Sequence, residues 1–252
     1  MISVTLIGGG NLAQHMFNAF NKSNEVSVNQ WFNRSVKNIQ QFKNKVMITD
    51  DIENIRPSDI NIIAVSDDAI SDLSESLPFK SELVVHTSGS LGIHDLNRKH
   101  RRGVFYPLQT FSKEVELNFK QVPFCIETLE KSDLPLLKSL AKAVGSPFYK
   151  INTEQRQTLH LAAVYVNNFT NQLYRIAHEI TDIKNINFDV LKPLILETAN
   201  KVQSVSPYMA QTGPAKRRDK KTIKRHLKQI DNETHRTIHE LLTQSIKETH
   251  GR

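Results

Sequence analysis

A single cysteine, Cys125, stands among 252 residues. That scarcity excludes an intrachain disulfide, gives no thiolate cluster for a metal, and fits a reducing, cytoplasmic setting. No apolar run approaches the length of a membrane span. The chain starts directly in what reads as a strand, with no charged-then-apolar leader. Internal repeats and low-complexity linkers are also missing. Hydrophobic residues make up 38% of the chain, low for a globular protein but above the disordered range, and the length suffices for one or two domains with a substantial core.

The charge balance is +7 and uneven. Lys216, Arg217, Arg218, Lys220, Lys221, Lys224 and Arg225 fall within ten residues, opposed only by Asp219. Such a cluster is either a solvated helix face or a contact for phosphate or another acidic group. No RNA-recognition or zinc-finger motif accompanies it, and aromatics are not interleaved, so nucleic acid is not an expected partner.

What is present begins at the first turn. Ile2–Ile7 reads as a buried strand, followed by Gly8-Gly9-Gly10-Asn11-Leu12-Ala13 and a helix to about Asn21. Gly8-x-Gly10-x-x-Ala13 is the dinucleotide fingerprint in its Gly/Gly/Ala form: a tight turn, a close backbone approach to pyrophosphate, and a small residue for helix–strand packing. A pyrophosphate would sit on the free N–H groups of the helix N-terminus.

A second strand, Val26–Phe32, ends at Asn33-Arg34-Ser35. About twenty residues past the glycine loop, an NAD site usually carries Asp or Glu for the ribose hydroxyls. No acid is here. Arg34 offers a planar cation suited to a phosphate, with Asn33 and Ser35 as neutral hydrogen-bonding neighbours, which favours NADP(H). A helix over 35–43 and a short strand at 46–48 follow. Ile60–Val65 is a strong strand with Ser66-Asp67-Asp68 as a helix N-cap signal, and Leu83–Val85 leads into His86-Thr87-Ser88-Gly89-Ser90. Ligands of open α/β sheets bind outside the carboxyl ends of strands, so Val65, Ser66, Asp67, His86 and Thr87 join Gly8, Gly10, Asn11, Leu12, Asn33, Arg34 and Ser35 as expected cofactor contacts. His86 also reads as a buried strand histidine.

Strands over 104–110, 123–126 and 147–150, with a helix over 134–143, complete the alternation. The fold class is α/β: an N-terminal Rossmann domain with a doubly wound, mainly parallel sheet over 1–151, then an all-α domain over 152–252. In the latter, Leu159, Ala162, Ala163, Val166, Phe169, Thr170, Leu173, Ile176, Ala177 and Ile180 form one face of a helix over 153–182. A break at 185–187 and helices over 190–202, 219–230 and 232–247 follow, with Thr212-Gly213-Pro214-Ala215 as an interrupting loop. On a wheel, His160, Asn167, Asn171 and His178 share a polar stripe, with Asn168 turned away by about one residue's rotation (~100°).

These segments resemble pyrroline-5-carboxylate reductases, 6-phosphogluconate/β-hydroxyacid dehydrogenases and deazaflavin-dependent NADP reductases. They are most similar to Rossmann-like proteins carrying a helical C-terminal domain of unknown function. The marks are His86-Thr-Ser-Gly89, Tyr106-Pro-Leu-Gln-Thr-Phe111, Leu161-Ala-Ala-Val with Asn167-Asn168-Phe169, and Thr212-Gly-Pro-Ala-Lys-Arg217. Three positions depart: Ser66 stands where pyrroline-carboxylate reductases have proline, Arg218 precedes Asp219 where glycine is frequent, and Val164 stands where a β-hydroxyacid enzyme has its lysine. The resemblance implies a homodimer paired through the helical domain, a small-molecule substrate, and Asn168 as a substrate-orienting asparagine, whereas the wheel alone selects Asn167. His160 is the expected acid, since an imidazole titrates near neutral pH, and Ser88 is expected to assist. Two function classes stay open. One is an NADP(H)-dependent oxidoreductase moving hydride between nicotinamide and a small polar, anionic carbonyl, imine or hydroxy acid. The other is a non-enzymatic NADP(H) sensor or scaffold with a basic partner-binding C-terminal region.

Overall fold

The computed structural model describes residues 1–113 and 115–250. Eight strands form one sheet in the order β3-β2-β1-β4-β5-β6-β7-β8. They are β1 Ile2–Ile7, β2 Val26–Phe32, β3 Met47–Thr49, β4 Ile60–Ile63, β5 Leu83–His86, β6 Arg101–Pro107, β7 Phe124–Thr128 and β8 Phe148–Lys150. All pairs are parallel except β6 with β7, where Tyr106 faces Cys125. Neighbours β1 and β4 connect to opposite halves of the sheet, which opens the crevice where such folds bind nucleotides.

Strand alternation sets the two faces. Val4, Leu6, Ile60, Ile62 and Phe105 point to one side, where helices α1 (Asn11–Asn21) and α3 (Leu134–Ala143) add Met16, Phe17, Phe20, Leu137 and Leu140. Ile7, Ile63 and Val84 point to the other, against Ile70 of α2 (Ile70–Ser76) and Leu77 and Leu96. Trp31 is fully buried and stacks on Phe17, with ring centroids 4.8 Å apart.

The expected helix over 35–43 is instead two separate 3₁₀ turns, Val36–Asn38 and Gln40–Phe42. Val36, Ile39 and Phe42 recur every three residues, which is the 3₁₀ period, and fully buried Ile39 with the Phe42 ring on Trp31 anchors that spacing. The strand expected at 104–110 starts earlier, at Arg101, and stops at Pro107, where the ring ends the ladder.

The long helix over 153–182 is one continuous run interrupted in type: α4 Thr153–Ala163, a π-helical stretch Val164–Phe169, and α5 Thr170–Asp182. A wheel drawn at 3.6 residues per turn therefore loses its phase across 164–169, and the single stripe of His160, Asn167, Asn171 and His178 does not hold. Of the expected apolar face only Ile176 is buried among the described residues. Val166 is 77% exposed, and Phe169, Leu173 and Ile180 are also exposed.

The chain forms two compact units, Met1–Asn167 and Asn168–Arg252. Helix α4 counts with the sheet although the sequence pattern changes at 151/152, because its first turn is bolted to β7. Fully buried Arg156 pairs with Glu127 at 2.5 Å, Glu127 accepts from the Thr153 N–H at 3.0 Å, and Arg156 also donates to the Leu91 carbonyl. The second unit holds α5, α6 (Lys192–Ser204), the short α7 (Pro207–Ala210), α8 (Lys220–Gln229) and α9 (Glu233–His250). Among its described residues only Ile176, Ala215, Ile223 and His235 are buried, while Ile183, Val190, Leu194, Leu196, Met209 and Leu241 are exposed.

Candidate functional site

The carboxyl ends of β1, β2, β4, β5 and β6 carry the residues expected to act. Gly8 sits at φ +121°, and an added Cβ would lie 2.1 Å from the Ala64 carbonyl oxygen and 2.9 Å from a methyl of Val65. Only glycine fits there. Its carbonyl is held by the Trp31 indole N–H at 2.6 Å. Gly10 is the opposite case, with open space where a Cβ would be. It forms the N-terminal cap of α1 with no side-chain cap and no acid in the first turn. The free N–H groups of α1 are thus left to an anion. Ala13 is fully buried beneath this turn. A turn that only glycine can make at Gly8, opening on an uncapped helix start, fits a pyrophosphate.

Asn33 packs against Gly9, since a Cβ on Gly9 would meet the Asn33 side chain at 2.7 Å. Its amide donates to the Ser35 carbonyl at 2.7 Å, curling the chain after β2. Arg34 projects from that curl, exposed, with no ion pair or hydrogen bond among the described residues. Among the described residues nothing competes for its guanidinium.

The turns after β4 and β5 are tied together by Ser90, whose hydroxyl donates to Asp67. Ser66 is exposed at the start of the turn Asp67–Ala69. Thr87 is buried and its N–H donates to the Ile63 carbonyl at 3.2 Å. His86 is fully buried, with Nε2 3.2 Å from the Gly92 carbonyl and Nδ1 accepting from the Ser88 N–H at 3.1 Å. Burial, with the Arg156 charge second, pushes its imidazole down to about 4. Its ring is enclosed and holds the turn. Ser88 is buried too, its hydroxyl accepting from the N–H groups of Ser90 and Leu91 at 3.1 and 3.0 Å. The arrangement makes Ser88 a turn-forming serine.

Helix α4 brings His160 to this cluster. Its Nδ1 lies 3.1 Å from the Tyr106 hydroxyl, and an added Cβ on Gly89 would sit 2.6 Å from that nitrogen. Asn167 donates to the Thr110 hydroxyl at 2.7 Å. His160 and Asn167 thus both reach the segment that ends β6. Asn168 is exposed and belongs to the other unit. His178 packs against Phe188 with the rings tilted and their centroids 5.0 Å apart, within that unit. Sequence reasoning did not single out Tyr106, Thr110 or the Arg156–Glu127 pair; Tyr106 and Thr110 were visible only as part of the segment 106–111. The loop beyond β6 is tied to the first residue of α1, the Asn11 side-chain amide donating to the Phe111 carbonyl at 3.1 Å.

A cavity of about 1010 Å³ lies elsewhere in the first unit, between His15, Asn18 and Lys22 on one side and Val115, Phe119 and Gly145 on the other. Among the described residues no three His, Cys, Asp or Glu side chains are placed to hold a metal ion, and no helix is long and apolar enough to cross a membrane.

Residues 122–246 match the family described as a domain of unknown function, DUF2520. A Bacteroides fragilis protein described as a "putative NADP oxidoreductase" is 36% identical, with 98% of each chain covered and a TM-score of 0.88. The chain belongs to this DUF2520 family of Rossmann-like oxidoreductases. A Thermotoga maritima protein shares the DUF2520 chain's fold at 18% identity, with 98% of each chain covered and a TM-score of 0.74. A pyrroline-5-carboxylate reductase from Coxiella burnetii does so at 16% identity, 98% coverage of each chain and a TM-score of 0.59. No curated protein matches the chain in sequence.

Proposed function

We propose that this DUF2520 protein is an NADP(H)-dependent oxidoreductase acting on a small polar, anionic carbonyl, imine or hydroxy acid. The observation that carries the reading is the cradle of Gly8 and Gly10 opening on the uncapped start of α1, with unpaired Arg34 on the adjoining β2 curl. The pyrophosphate would lie on the N–H groups at Gly10, Asn11 and Leu12. Arg34, flanked by Asn33 and Ser35, would hold the 2′-phosphate. Val65, Ser66, Asp67 and Thr87 would border the nicotinamide end. When bound, the reduced nicotinamide supplies hydride. His160 would hydrogen-bond the reacting heteroatom through its ring N–H as hydride arrives, and Asn167 or Asn168 would orient the substrate. The Bacteroides relative's description as an NADP oxidoreductase supports the same cofactor.

We also read the helical region as a homodimer interface. A unit with four buried residues and many exposed aliphatic ones lacks a core of its own size, and a second copy would supply the missing contact.

The test is titration of the protein with NADPH and NADH, then NADPH oxidation against imines, 2-oxo acids and semialdehydes. A charge-assisted bond of about 1.5–3 kcal/mol from Arg34 predicts a preference for NADPH of about ten- to a hundredfold. Arg34→Ala should abolish that preference. Equal affinity for both cofactors would reject the assignment, and tight NADPH binding without turnover on any class would favour a sensor.

A further inference from the structure

We propose that Tyr106 is the positioning residue for His160, fixing its neutral imidazole with Nδ1 as acceptor and Nε2–H turned to the reacting group. The function of that N–H rests on the oxidoreductase reading above; the arrangement itself rests on three contacts. The Tyr106 hydroxyl is 3.1 Å from Nδ1. The two rings meet edge to face with centroids 6.0 Å apart. Gly89 closes the third side, because a Cβ there would lie 2.6 Å from Nδ1 and 2.8 Å from the Tyr106 ring. Nothing larger than glycine leaves this pair in place.

Two hydrogen placements could join Tyr106 and His160, and each leaves one donor and one acceptor of the pair over. Donor and acceptor strength separates them: a phenol O–H is a stronger donor than a neutral imidazole N–H, and an imidazole nitrogen is a stronger acceptor than a phenol oxygen. The phenol therefore donates to Nδ1, which leaves the ring N–H on Nε2, where the described residues give it no partner. Burial pushes the Tyr106 phenol up to about 12, so its proton stays available to donate. One turn earlier on α4, the Arg156–Glu127 bolt holds the backbone from which His160 projects. The imidazole is thus fixed from its helix and from β6 at once, which locks its tautomer as an orienting partner does in other catalytic histidines.

The experiment is ¹⁵N NMR of the histidine rings in the full-length protein, with His160→Gln to assign the signal. The expected result is a neutral His160 in the Nε2–H form, and a mixture of tautomers in Tyr106→Phe, which keeps the ring packing. A wild-type Nδ1–H form, or an unchanged His160 signal in Tyr106→Phe, overturns the proposal. Neither readout needs cofactor, so failure here is separable from failure to bind NADPH, which would reject the oxidoreductase reading instead. Once turnover is measured, Tyr106→Phe should lower kcat by about ten- to a hundredfold with the KM for NADPH unchanged. In a His160→Ala background the same change should do nothing further. An independent loss in that background would show that Tyr106 does not act through His160.

Discussion

Arg156→Ala tests whether one buried ion pair joins helix α4 to the sheet. The Arg156 side chain is 0% exposed and Glu127 17%. Removing one partner of a buried pair costs about 3–5 kcal/mol, mostly because the other charge is left unpaired. Two features place this case at the lower end. Glu127 can recover some water through its exposed edge and keeps its Thr153 hydrogen bonds. The Nε of Arg156 is buried with no hydrogen-bond partner, so the pair is worth less than a fully satisfied one. About 3 kcal/mol, divided by a urea m-value of about 2 kcal/mol/M, lowers the midpoint by about 1.5 M. Trp31 is the chain's sole tryptophan and lies in the same unit, so its fluorescence reports that unit's unfolding. Glu127→Gln should cost at least as much, because it strands the more deeply buried charge. A midpoint drop under about 0.5 M for Arg156→Ala, or a milder effect for Glu127→Gln, would refute the reasoning.

The His86 imidazole is held at about 4 against an ordinary 6.5, by burial first and by Arg156 second, with the hydrogen bond to the Gly92 carbonyl and then Asp67 and Asp95 opposing. The unfolded chain then binds more protons between these values, so stability is complete above about pH 6.5 and falls toward pH 4 by about 3 kcal/mol; urea midpoints across that range should show the slope, reduced in His86→Gln. Gly8→Ala must move the Ala64 carbonyl and adopt φ +121°, so NADPH affinity should drop at least about a hundredfold, measured by titration. His160→Ala should lower kcat at least about tenfold and leave NADPH affinity unchanged. Light scattering at micromolar concentration should give the mass of two chains; the mass of one would remove the proposed interface.

Where local chemistry decides, the sequence could be read. The glycine loop, most of the apolar strands and the helix over 134–143 are local patterns and lie within a residue or two of their expected places; β6 is the exception, three residues earlier than expected. The turns at 36–42 differ from the helix expected over 35–43 because their spacing is set by Ile39 and Phe42, which belong to the packing around Trp31. The π-helical stretch leaves no periodic trace, so the wheel that grouped His160 with His178 had no warning of it. Tyr106 lies 54 residues from His160, and Glu127 lies 29 from Arg156. Such partners follow from strand order, which no window of sequence contains. His86 and Ser88 were legible as polar residues at a strand end, but not as members of a closed turn whose hydrogen bonds they use up.

Cys125 gives the molecule a clock. It lies in the middle of β7, flanked by β6 and β8, and is buried with its thiol unbonded to another cysteine. Burial raises its thiol pKa, so in the closed sheet the group stays a thiol rather than the thiolate a reagent needs. Labelling by a thiol-specific dye in native buffer therefore proceeds only as often as the antiparallel edge of the sheet breathes. Because Cys125 faces Tyr106 across the ladder, the labelling rate measures how long the floor beneath His160 stays shut.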